Sequence, residues 1–247
     1  MIDQKFYQTE FLERVEIPPV LVEEVVLFHH TAMVKVAGAV GISTIVGRDS
    51  VSSPRDCGSL HLENLKSLSS LYLSDNYLEA AIGMASINCA INLKVVNQTC
   101  EFNAYNFLDG RQDKTVSIIG RFPFVERLVK QNKIKKIYCF ELTPKTGEIG
   151  PERYADFIPI SDVVIITATT FVNKTFHKIY QHLNDFSFNI LAGPTTPLLP
   201  LLFDYKINAL SGLLVEDYHL ARQTFSQGGA SRHAKGVKKI TINKNGI

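Results

Sequence analysis

The chain has 247 residues, 45% of them hydrophobic and 20% charged, and its 26 Lys and Arg against 24 Asp and Glu leave a formal net charge of +2. That is enough chain for one large core or two smaller ones, and the near-balance of charge argues against a nucleic-acid-binding protein of the strongly basic kind. No window approaches the roughly 18 to 20 uninterrupted apolar residues of a membrane span, and Met1-Ile2-Asp3-Gln4-Lys5 lacks the apolar stretch of a signal peptide, so a soluble cytoplasmic protein with neither membrane nor nucleic-acid partners is expected.

In chain order, the β-rich run Val25–Val36 ends at Gly38 and a second run, Val40–Val46, ends at Gly47, which predicts an antiparallel hairpin. His29 and His30 fall inside the first run, where neighbouring side chains point to opposite faces and cannot share one ion. The polar stretch from Arg48 to Gly58 reads as loop. A helix then starts at Asn76, where Asn76 as N-cap and Glu79 three residues on match a capping box. Its following turns to Ala90 are small or apolar, so the helix is expected to be buried all round, with Ala80, Gly83, Ser86 and Ala90 on one face allowing close backbone approach.

From Thr115 the pattern changes to alternating strands and helices. Expected strands are Val116–Ile119, Ile137–Leu142, Val163–Thr167, Asn189–Ala192 and Ala209–Val215, with helices over Pro123–Gln131, Thr170–Asn184, Leu198–Phe203 and Asp217–Ser226. Apolar runs such as Val163-Val164-Ile165-Ile166 suit strands covered on both faces, and the alternation predicts a parallel sheet with right-handed crossovers. The last acidic residue is Asp217, while six Lys and Arg follow it. This reads either as a solvated basic tail or as Arg232 or Lys235 meeting an anion beside Gly228-Gly229.

Four turns at strand ends carry the chemistry. Gly120-Arg121-Phe122-Pro123 follows the first strand of the alternating half and Glu141 ends the second, 21 residues after Gly120. A dinucleotide fold places a glycine and a ribose-binding acid at about that spacing, but GxGxxG is absent and bulky residues stand where a pyrophosphate would approach. Glu141 is therefore a candidate acceptor for a nucleoside or another polar small molecule, or alternatively a cap for a neighbouring turn. Thr167-Ala168-Thr169-Thr170-Phe171-Val172-Asn173 offers hydroxyls at a strand end, with Thr170 the expected N-cap of a helix whose first N–H groups would attract an anion. Gly193-Pro194-Thr195-Thr196 repeats the arrangement, and both threonine turns are expected to line one pocket. Asn76 either faces that pocket from the N-terminal half or only caps its helix.

Metal and hydrolase signals are weaker. The four cysteines, Cys57, Cys89, Cys100 and Cys139, show no CxxC spacing and read as buried thiols; HExxH and GxSxG are absent. His177 and His182 lie off the apolar stripe formed by Val172, Phe176, Ile179, Tyr180 and Leu183, and are expected in solvent.

Ser74-Asp75-Asn76 with the helix to Asn92, Ile119-Gly120-Arg121-Phe122-Pro123, the turn Thr167 to Asn173, and Gly193-Pro194-Thr195-Thr196-Pro197-Leu198-Leu199-Pro200 together resemble the DUF364 family, described as "putative heavy-metal chelation", with its DUF4213 N-terminal partner. The resemblance implies an α/β protein: an α+β enolase N-terminal-like domain over residues 1–106, a Rossmann-like domain over 107–247, and a site between them. Two departures stand out, Ala168 in place of the family's usual glycine and Arg121, which adds positive charge. Three readings remain: a cleft protein binding or processing a small polar, metal-chelating molecule; an enzyme using a nucleoside-containing cofactor such as S-adenosylmethionine; and a non-catalytic metal carrier, which the lack of clustered soft ligands disfavours. A metal ion and a nucleoside cofactor both stay open, as does self-association.

Overall fold

The computed structural model describes residues 4–47, 52–94, 113–131 and 134–244. Helix α1 (Gln4–Arg14) precedes a meander of three antiparallel strands, β1 (Glu24–Leu27), β2 (Thr31–Val36) and β3 (Ala39–Thr44). The expected long first strand is thus two strands. The chain turns back at Phe28–Thr31, where the Phe28 N–H donates to the Thr31 carbonyl at 2.8 Å. In that turn the His29 and His30 rings meet edge to face, 4.3 Å apart, rather than pointing to opposite faces. The second turn is two residues long, with Ala37 at φ +46° and Gly38 at +83°, the left-handed pair that suits the twist of a tight hairpin.

Helix α2 (Leu65–Ser70), capped by the Asn64 side chain, leads to a 3-10 turn at Leu71–Leu73 and then to α3 (Tyr77–Asn92). Every residue of α3 from Glu79 to Ile91 is buried, as its composition predicts. Glycines set the approach distances. A Cβ on Gly41 of β3 would stand 2.0 Å from the Ala85 carbonyl oxygen, and one on Gly83 would stand 2.0 Å from the Tyr72 nitrogen. The meander and the 3-10 turn therefore press α3 from two sides at backbone contact.

The second sheet contains β4 (Thr115–Ile119), β5 (Lys136–Phe140), β6 (Val163–Thr167), β7 (Phe188–Ala192), β8 (Ala209–Val215) and β9 (Val237–Asn243) in the order β5-β4-β6-β7-β8-β9. The first five run parallel and β9 is antiparallel to β8. The connecting helices are α4 (Val125–Gln131), α5 (Tyr154–Phe157), α6 (Thr169–Val172), α7 (Phe176–Tyr180) and α8 (Tyr218–Ser226). Val116, Ile118, Val163, Ile165 and Ile190 pack with Leu128 of α4 on one face, while Ile119, Val164, Ile166, Leu191 and Leu210 join the main core on the other.

Three expectations need correction here. The helix expected over Thr170–Asn184 is two short helices, because Lys174 takes φ +64° and the Asn173 carboxamide oxygen accepts the Thr175 hydroxyl at 2.7 Å. The helix expected at Leu198–Phe203 is a 3-10 helix over Pro200–Tyr205. The basic tail is strand β9, in which Ile240 and Thr241 are buried while Lys239 is exposed; Lys on an edge strand discourages pairing with another chain.

The two sheets are separate but share one core. Met33, Val40 and Ile42 of the meander pack on Ala221 and Phe225 of α8, and the residues around α3 form one apolar cluster with Phe171, Val172 and Leu210. The expected boundary at residues 106 and 107 lies outside the described residues.

Candidate functional site

Neighbouring strands β4 and β6 carry connections that leave in opposite directions, to β5 on one side and β7 on the other. An open parallel sheet has its crevice at such a reversal, beyond the carboxyl ends of the two strands. A cleft of about 200 Å³ lies there, lined by the ends of β4 (Gly120, Arg121), β5 (Glu141, Leu142) and β6 with the turn that follows (Thr167, Thr169, Thr170, Asn173), and floored by Tyr154. A second cavity, among the aromatic rings of Tyr7, Phe11, Tyr72 and Phe171, has about 20 Å³, room for a water or two.

Gly120 is where the backbone must be bare. Its φ is +102°, and a Cβ there would meet Thr167 Cγ2 at 2.7 Å, so the β4 turn sits directly on the end of β6. Thr167 Oγ1 lies 3.0 Å from Thr169 Oγ1, and the Thr170 hydroxyl donates to the Thr167 carbonyl at 2.7 Å. Thr170 is buried and is not the N-cap; that position is Ala168, with no side-chain cap bond. Helix α6 has four residues, too short to present the anion-binding N-terminus expected of it.

Glu141 emerges from β5 into the cleft with its side chain 18% exposed. Burial pushes its carboxyl pKa above the usual range, against the pull of Arg121, whose Nε is 4.0 Å from Oε1. Arg121 itself is committed elsewhere: its Nε and Nη2 donate to the two oxygens of Glu148 at 2.8 and 2.7 Å, and Nη2 also to the Thr143 carbonyl at 2.9 Å. That fork holds the Glu148 carboxyl down at about 2. Burial first, and then Glu141, raise the Tyr154 phenol to about 12, so it remains a proton donor at neutral pH.

The cleft thus brings together Gly120, Arg121, Glu141, Thr167, Thr169, Thr170 and Asn173, all from one sheet. The others lie apart. Phe122 stacks on Phe124 with ring centroids 5.1 Å apart, and Pro123 is an exposed turn residue ahead of α4. Gly193, Pro194, Thr195 and Thr196 do not line the cleft. Thr195 and Thr196 are buried, and Thr195 Oγ1 accepts the Thr44 N–H at 2.9 Å, which spends this turn on joining the two halves.

Asn76 also turns away from the cleft. Its side chain accepts from the Leu78 N–H at 2.9 Å and donates to Ser52 and Ser53. The reciprocal half of the capping box is absent, since Glu79 accepts from the Arg55 N–H instead. A site between the two halves is accordingly not what this cleft forms. Sequence reasoning missed Tyr154, Thr175 and Glu148. Glu148 could have been found from Gly147-Glu148-Ile149, a β-like step after a turn, because Ile149 bridges Phe140 at the edge of β5.

Residues able to hold a heavy metal do not converge. Among the described residues no three His, Cys, Asp or Glu form a metal-sized cluster. Cys57 is exposed, Cys89 is buried and Cys139 is half-buried, and Cys100 lies outside the described residues. The backbone N–H of Lys235 donates to the Thr224 hydroxyl at 3.3 Å and the residue is exposed, while His177 and His182 are half-buried rather than in solvent. No helix among the described residues is long and apolar enough to cross a membrane.

The family model of DUF364, described as "putative heavy-metal chelation", matches residues 103–244, and that of DUF4213, with the same description, matches residues 9–91. A solved DUF364 protein of unknown function from Desulfitobacterium hafniense is 24% identical, with a TM-score of 0.83 over 98% of each chain. Another, from Pyrococcus horikoshii, is 20% identical with a TM-score of 0.78, over 98% of this chain and 99% of its own. The uncharacterized protein MJ0500 of Methanocaldococcus jannaschii is 25% identical over 182 residues, 72% of this chain and 70% of its own.

Proposed function

The chain belongs to the DUF364 family, and from that premise we propose that it binds a small polar molecule in the switch-point cleft, with Glu141 accepting hydrogen bonds from the ligand's hydroxyl or amine groups. The observation that carries this is the convergence of Gly120, Glu141 and the Thr167–Thr170 turn at the reversal of strand order. A bare backbone, one carboxylate and adjacent hydroxyls recognise a molecule with several donors and acceptors at close spacing. Among the described residues no three His, Cys, Asp or Glu form a metal-sized cluster; a metal could be carried into the cleft by the small molecule itself.

A second reading has its own support. An acid at the end of the strand beside the glycine-bearing strand is where a ribose diol is held in dinucleotide folds. A nucleoside-containing molecule therefore stands among the favoured ligands, as cofactor or as substrate.

Mass spectrometry of small molecules released from the purified protein, followed by calorimetry of the released species, tests the proposal. Glu141→Gln is expected to weaken binding by about 1.5 to 3 kcal/mol, the value of a hydrogen bond to a charged group, with the melting temperature retained. Unchanged affinity would remove Glu141 from the site.

A further inference from the structure

We propose that Glu148 sets the charge preference of the switch-point cleft, turning it away from phosphorylated ligands and toward neutral or cationic ones by occupying Arg121; this rests on the reading that the cleft is a ligand site. Arg121 is the cation among the residues lining the cleft, and a free guanidinium beside a strand-end glycine would be a good phosphate partner. Here Nε and Nη2 are taken by both oxygens of Glu148 and by the Thr143 carbonyl. Glu148 is itself fixed. Its Oε2 accepts the Lys145 N–H at 2.7 Å, and the next residue, Ile149, is tied to β5 through its N–H to the Cys139 carbonyl at 2.8 Å and its carbonyl to the Glu141 N–H at 3.0 Å.

With the Arg121 charge cancelled, the charge left facing a ligand is that of Glu141. A phosphate seeking the Nε–Nη2 fork of Arg121 would have to displace a bidentate carboxylate and lie beside a second one. The Thr169 N–H is turned toward Thr167 Oγ1 at 3.4 Å, and α6, at four residues, is too short to offer an N-terminal anion site. A neutral diol or an amine meets none of these penalties and gains the Glu141 carboxylate.

The test uses three probes, adenosine, adenosine 5′-monophosphate and inorganic phosphate, titrated by calorimetry into the wild-type protein, Glu148→Gln, Glu148→Ala and the double variant Glu148→Gln/Arg121→Leu. In the wild type phosphate is expected not to bind, and the monophosphate to bind at least tenfold more weakly than adenosine. Both single variants are expected to gain phosphate binding and to reverse the preference between the two nucleosides by tenfold or more, and the double variant to lose that gain. Phosphate binding by the wild type, an unchanged preference in the folded single variants, or a gain that persists without Arg121 would each overturn the inference. Adenosine that binds none of the four proteins, together with phosphate gained in the single variants and lost in the double, would sink the nucleoside reading while supporting the role of Glu148.

Discussion

Gly120 and Gly193 both end parallel strands with strongly positive φ, +102° and +120°, yet their surroundings differ. A Cβ at Gly193 would meet nothing within 4 Å, whereas one at Gly120 would press into the Thr167 side chain. Gly193→Ala should therefore cost only backbone strain, about 1 to 3 kcal/mol. Gly120→Ala should cost more, because Thr167 must also move, and should weaken ligand binding along with stability. Equal losses on chemical denaturation would show that the contact with Thr167 does not matter. Glu141 makes a second prediction at this scale. Its pKa is raised by burial, so the ionised acceptor is lost while the pH is still above the ordinary carboxylate value of 4.5. Affinity for a ligand that donates to it should fall as the pH drops through that raised value, and Glu141→Gln should be flat over the same range. A wild-type profile without that fall would mean that the carboxylate does not accept from the ligand.

The break between α6 and α7 shows what an element hides from its own sequence. Val172, Phe176, Ile179 and Leu183 are all buried, as the helical spacing requires, and two short helices with a turn between them preserve that face as well as one long helix. Periodicity could not see the interruption. Its cause is the Asn173-Lys174-Thr175 turn, which sends Lys174 inward: Nζ donates to the Tyr72 carbonyl and lies 4.5 Å from the Tyr72 ring centroid. Burial pulls this amine from its ordinary 10.5 down to about 8. Between those values the unfolded chain binds the proton more readily than the folded one, so stability should rise with pH across the window. Burial also holds the Tyr72 phenol above its ordinary 10.0, which opposes this gain only above about pH 10. Denaturation of the wild type from pH 7.5 to 10 should show a gain relative to Lys174→Met on the order of 2 kcal/mol; parallel curves would mean that Lys174 is solvated. Strand β9 was hidden for a different reason. In Val237-Lys238-Lys239-Ile240-Thr241-Ile242-Asn243 the lysines dominate the charge pattern, while the alternation that makes an edge strand is interrupted by two adjacent lysines.

At the scale of the molecule, alternation of apolar runs made the parallel sheet legible, and Gly120, Glu141 and the Thr167 turn could be picked out as neighbours at the sheet edge because each ends a strand. What stayed hidden is which turns meet. The β5-β4-β6 reversal depends on strand order, which local pattern does not encode; the Thr167 and Thr195 turns follow neighbouring parallel strands at one sheet edge, yet only the Thr167 turn lines the cleft. The Thr195 turn instead joins the two sheets. The Asn88 carboxamide of α3 donates to the Ile42 carbonyl at 2.9 Å and to the Thr195 carbonyl at 3.1 Å, and Thr195 Oγ1 receives the Thr44 N–H. With one apolar cluster running through both halves as well, neither half should lose its packing without the other. Heating monitored by far-ultraviolet and near-ultraviolet dichroism should give one coincident transition. Asn88→Ala leaves buried carbonyls short of a donor and should lower stability by about 1 to 3 kcal/mol, or several degrees for a chain of this size at about 2 to 4 °C per kcal/mol, with the transition still single. Two resolved transitions in the wild type would show instead that the meander and the parallel sheet unfold independently.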